Sequence, residues 1–86
     1  MTNYLAVFRS KTQLMIFIEA MKSHGVTVYT ATTPANAGVG CGISASFESR
    51  YLSLAKQIIY TQSLNSFHAI YRVIKDGVRS STEKII

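Results

Sequence analysis

The residues best suited to chemistry lie in one stretch, Thr33-Pro34-Ala35-Asn36-Ala37-Gly38-Val39-Gly40-Cys41-Gly42. Cys41 is the only cysteine in the chain. Glycines at positions 38, 40 and 42 let the backbone adopt positive φ and let another molecule approach closely. Gly40 and Gly42 flank the Cys41 thiol with residues that have no side chain, so it is sterically open if the loop faces solvent. A thiolate needs that access to line up with the sulfur it attacks. It also needs a cation or a helix N-terminus to depress its pKa, and neither is visible nearby in the sequence. The plain alternative is a small buried cysteine packed as a weak hydrophobe at a strand start.

The other reactive side chains form no constellation. The glycines precede a strand and no Gly-Lys-Ser/Thr follows, so a phosphate loop does not fit. His24 and His68, with Cys41, match no metal-ligand spacing, so no metal site and no cofactor are expected. Glu19, Glu48, Asp76 and Glu83 are scattered over a helix, a strand end, a turn and the tail, and suggest no acid–base pair. Tyr4, Tyr29, Tyr51, Tyr60 and Tyr71 read as core-edge and interface residues, because the interleaved glycine–aromatic signature of RNA-binding strands is missing.

The elements that must position Cys41 follow from pattern. Tyr4 to Phe8 reads as a strand. Ser10 with Gln13 has capping-box spacing, and Leu14, Phe17, Ile18 and Met21 fall on one helical face. Gly25 suits the helix C-terminus. Val26 to Ala31 reads as the second strand and Thr32 to Gly42 as a loop. Ile43 to Phe47 alternates, with Ser44 and Ser46 opposite Ile43, Ala45 and Phe47. Ser49 is placed to cap a second helix carrying Tyr51, Leu54, Ala55, Ile58 and Ile59 on one face. Phe67 to Ile74 reads as the fourth strand, ending near Asp76-Gly77.

The order β-α-β-β-α-β predicts an α+β fold of ferredoxin-like type: a four-stranded antiparallel sheet with two helices on one face. The other face is expected to be open and lined in part by Ser44 and Ser46. Residues 1–76 would form the single domain and 77–86 a tail or short added element.

Composition bounds the rest. A length of 86 residues fits one domain with a small core. A single cysteine excludes an internal disulfide and a four-cysteine zinc site. The longest apolar run, Leu14 to Ile18, is too short to span a bilayer, and Met1 to Arg9 lacks the marks of a signal peptide. The chain therefore reads as a soluble cytoplasmic domain, complete as it stands. Nine Lys and Arg against four Asp and Glu give a net +5, spread along the chain with mild clustering at Arg72, Lys75, Arg79 and Lys84. No basic–aromatic motif accompanies that charge, so nucleic-acid binding is not favoured. With 48% hydrophobic residues, some apolar surface is left for a partner, which predicts a homodimer through either the open sheet face or the Met15 and Ile16 side of the first helix.

The strand-helix-strand start, Thr33-Pro34, Cys41-Gly42 seven residues after the proline, and the apolar strand and helix that follow resemble the small bacterial Se/S carrier protein-like family. The resemblance covers roughly residues 3 to 75. It implies that Cys41 carries sulfur or selenium as a persulfide or selenopersulfide, with donor and acceptor proteins as partners. Pro34, Gly38, Gly40 and Gly42 would then shape the loop. Positions where such domains often carry a charged pair and hydroxyl residues hold Ala35-Asn36 and Gly38-Val39 here, leaving mainly backbone N–H groups for an anion. The chain thus reads as a carrier or binding protein rather than a turnover enzyme. The alternative is a small dimeric interaction module with a structural cysteine.

Overall fold

The computed structural model describes residues 3–34, 42–76 and 79–86. Strand β1 (Asn3–Phe8) leads into helix α1 (Lys11–Ser23), β2 (Tyr29–Thr32) and β3 (Ile43–Glu48). A short 3-10 turn (Ser49–Tyr51), helix α2 (Leu52–Thr61), β4 (Phe67–Asp76) and β5 (Arg79–Lys84) complete the order.

Helix α1 starts where its cap lies, with the Gln13 N–H donating to Ser10 Oγ at 3.3 Å. It ends in a Schellman motif. The Gly25 N–H donates to Lys22 O at 2.9 Å and the Val26 N–H to Met21 O at 3.2 Å. Gly25 takes φ +80° there, a conformation that disfavours a side chain. Helix α2 closes in the same way, with Ser63 N–H to Tyr60 O at 3.2 Å and Leu64 N–H to Ile59 O at 3.1 Å. Its left-handed residue is Ser63, at φ 53°. Ser49 does not cap α2 directly. It begins the 3-10 turn, and the helix starts three residues later, at Leu52, with no side-chain cap.

The sheet is antiparallel with five strands in the order β2-β3-β1-β4-β5. The four-stranded expectation is thereby corrected. Asp76 pairs with Arg79, and β5 runs back along β4 to Lys84 opposite Tyr71. Its sequence, Arg-Ser-Ser-Thr-Glu-Lys, has no apolar alternation, because an edge strand can be held by its backbone ladder. The second strand is also shorter than its apolar run. Val26 and Val28 are buried, but they lie in the segment that approaches β2.

The main core lies between the sheet and both helices. Ala6, Phe8, Ala45, Phe47 and Ile70 from the sheet meet Leu14, Phe17, Ile18, Met21, Ala55 and Ile58 from the helices. Phe8 packs on Phe17 at 5.3 Å and on Phe67 at 5.7 Å between ring centroids. Phe67 reaches this side because the register slips between Val7, opposite Ala69, and Phe8, opposite Phe67. His68 is the extra residue, so simple alternation through Phe67, His68 and Ala69 does not hold.

The second face of the sheet is not open at its centre. Leu5, Val7, Ala69 and Tyr71 are buried in a smaller cluster, with Ala31 and Val73 against it. Ser44 is fully buried and Ser46 nearly so. The alternation that turns Ala6 and Phe8 toward the helices turns Leu5 and Val7 the other way, so the central strands are apolar on both sides.

Candidate functional site

The segment bearing Cys41 connects β2 to β3, which are paired antiparallel with Thr32 opposite Ile43. The chain therefore leaves and re-enters the sheet at the same end of the same strand pair. Two contacts close its base. The Thr33 N–H donates to Gly42 O at 3.0 Å. The Thr33 and Ser44 hydroxyls share a hydrogen bond of 2.8 Å. Ser44 is fully buried, so the hydroxyl of Thr33 satisfies a group that would be costly to leave alone.

Gly42 is exposed and takes φ +84°. A Cβ built there would meet nothing within 4 Å, so backbone conformation, not crowding, favours glycine. Pro34 is half-buried next to Thr33 and fixes φ at the other entry to the segment. Of the residues singled out in the sequence, Pro34 and Gly42 are thus placed at the two ends of the closed base. Gly38, Gly40 and Cys41 lie outside the described residues. Both Thr33 and Ser44 were named in the sequence, Thr33 in the stretch and Ser44 on an open sheet face, but the bond between their hydroxyls was missed. Ser44 carried the signal, as a hydroxyl alternating with apolar residues in a strand next to the glycine-rich segment.

The remaining candidates stay apart. His24 sits at the C-terminus of α1, with Nδ1 2.9 Å from Ala20 O. His68 lies at the β4 register slip. Among the described residues no three His, Cys, Asp or Glu side chains come together in a metal-holding group. Arg72, part of the basic cluster, is 3.4 Å from Glu83 Oε1, which offsets its charge. Two apolar residues of α1, Met15 and Ile16, are 46% and 42% exposed and line a shallow groove with Thr12, Glu19, Ala20, Ser23 and Gln62. No helix among the described residues is long and apolar enough to cross a membrane.

Residues 3–72 match the family described as Putative Se/S carrier protein-like. No curated protein and no solved structure matches the chain.

Proposed function

Because the chain belongs to the Putative Se/S carrier protein-like family, we propose that it carries a single chalcogen atom on Cys41 between a donor and an acceptor protein. The observation that carries this reading is the family match across residues 3–72, a span that contains the only cysteine of the chain. The closed base between Thr33 and Gly42 supports it, because it ties both ends of the cysteine-bearing segment to the sheet.

The transfer balances without any outside oxidant. The Cys41 thiolate attacks the outer sulfur of a donor persulfide. A sulfur–sulfur bond forms at Cys41 Sγ, the donor's own sulfur–sulfur bond breaks, and the donor leaves as a thiolate. The acceptor thiolate repeats the exchange. A selenium atom moves the same way from a donor selenopersulfide. Reducing conditions, as in the cytoplasm, keep the thiols of all three proteins available. In this reading the order β2-β3-β1-β4 is a ferredoxin-like core to which β5 has been added.

The test is intact-protein mass spectrometry after incubation with a persulfide donor, with Cys41→Ser as control. A mass gain of one sulfur atom that disappears in the variant supports the carrier. No adduct, together with a thiol slow to alkylate, sinks it. A second reading, an interaction module with a structural cysteine, is favoured by the exposed Met15 and Ile16 on α1. It predicts no adduct and loss of partner binding in Ile16→Lys.

A further inference from the structure

The two edges of the sheet differ. β5, at one edge, carries Arg79, Glu83 and Lys84. Charged residues on an edge oppose pairing with another strand. β2, at the other edge, reads Tyr-Thr-Ala-Thr. It has no charge, no proline and no register shift along its pairing with β3, and Tyr29, Thr30 and Thr32 are exposed. Its composition is that of a good strand former.

The ladder identifies which backbone groups this edge offers. The Thr33 N–H donates to Gly42 O, so Thr33 and Gly42 stand at a hydrogen-bonding position of the ladder, with one of its two bonds made. Antiparallel pairs alternate in type. Thr32–Ile43 and Thr30–Ala45 are therefore the pairs that exchange no hydrogen bond, and the N–H and C=O of Thr30 and Thr32 point away from β3. Among the described residues no strand lies on that side.

We propose that this edge pairs with the same edge of a second copy, antiparallel about a two-fold axis through Thr30, to make one sheet continuous across both chains. Three observations select a second copy over an unrelated extended segment. First, a two-fold axis normal to the sheet keeps every side chain on its own face, so only an axis through a residue gives matched pairs. At Thr30 it sets Tyr29 opposite Ala31 of the second copy, in a pair without hydrogen bonds, where side chains come closest. Second, that match is complementary in size and polarity. Tyr29 is 65% exposed, and Ala31 is a small, half-buried residue lying on the Leu5, Val7, Ala69 and Tyr71 cluster. The Tyr29 ring covers Ala31 of the second copy and extends that cluster across the seam. Third, a chain of net +5 repels its own kind, and β2 brings no charge of its own against a second copy. This interface leaves Met15 and Ile16 free, and it does not depend on the chemistry of Cys41.

Sedimentation over protein concentrations from about 1 μM to about 500 μM reads the association. The full chain is expected to dimerise in this range. Thr30→Pro removes an outward N–H that the ladder with β3 does not use, so the fold should tolerate it. It should raise the dimer dissociation constant more than about tenfold. Ile16→Lys should leave the dimer intact. A wild-type chain that stays monomeric throughout overturns the proposal, and so does a dimer that survives Thr30→Pro or is lost in Ile16→Lys. If Thr30→Pro fails to fold, amide exchange on the wild-type chain decides. Exchange at Thr30 that slows as concentration rises supports the pairing, and exchange independent of concentration overturns it.

Discussion

The hydroxyls of Thr33 and Ser44 meet at 2.8 Å across the base of the segment that carries Cys41. One side chain is fully buried on β3 and the other stands next to Pro34, so this bond joins the core of the sheet to the entry of the candidate site. Ser44→Ala should destabilise the chain by about 1 kcal/mol, since it leaves Thr33 Oγ1 without its partner. Thr33→Val should cost a similar amount, about 1 kcal/mol. The double variant should cost less than the sum, a coupling of about 0.5–1 kcal/mol readable in a denaturant double-mutant cycle. Strict additivity would mean that the bond does not hold in solution.

Gly42 should resist substitution for a backbone reason alone. With φ +84° and open space where a Cβ would go, Gly42→Ala is expected to cost about 1 kcal/mol of stability. Under the carrier reading it should also slow loading of Cys41, because the closing Thr33 N–H bond to Gly42 O depends on this conformation. Thermal melts and the rate of mass gain report the two effects separately.

Ser63 is the converse case. It occupies at φ 53° the position that glycine fills at the end of α1. Ser63→Gly should relieve left-handed strain, and after the added freedom of the unfolded chain is counted it should stabilise by about 0.5–1 kcal/mol. A chemical-denaturation midpoint that moves down instead would place the strain elsewhere.

Phe47 joins the sheet to α1. It is 1% exposed, with its ring 6.1 Å from Phe17 and 6.2 Å from Tyr4 between centroids. Phe47→Ala should cost about 3–5 kcal/mol through lost burial and a residual cavity. Since a small domain holds only about 5–15 kcal/mol in all, the variant should melt far below the wild-type chain. A shift of a few degrees would show that the core refills around the missing ring.

What the sequence determined by itself was whatever depends on near neighbours in the chain. The Ser10 cap and the buried stripe Leu14, Phe17, Ile18 and Met21 of α1 were legible because helix periodicity and capping are local. So was the strand alternation of Ile43 to Phe47, and so was family membership, which the match over residues 3–72 bears out. Tertiary structure decided what depends on pairing between distant segments. β5 has no apolar pattern, and its place rests on backbone bonds to β4. Phe67 turns toward the helices because of a register slip against β1 that no local pattern encodes. The burial of Ser44, its bond to Thr33, and the place of β2 at an edge of the sheet among the described residues all follow from strand order. Strand order is chosen by the packing of the whole sheet, and the residues along any one strand carry only half of each pair.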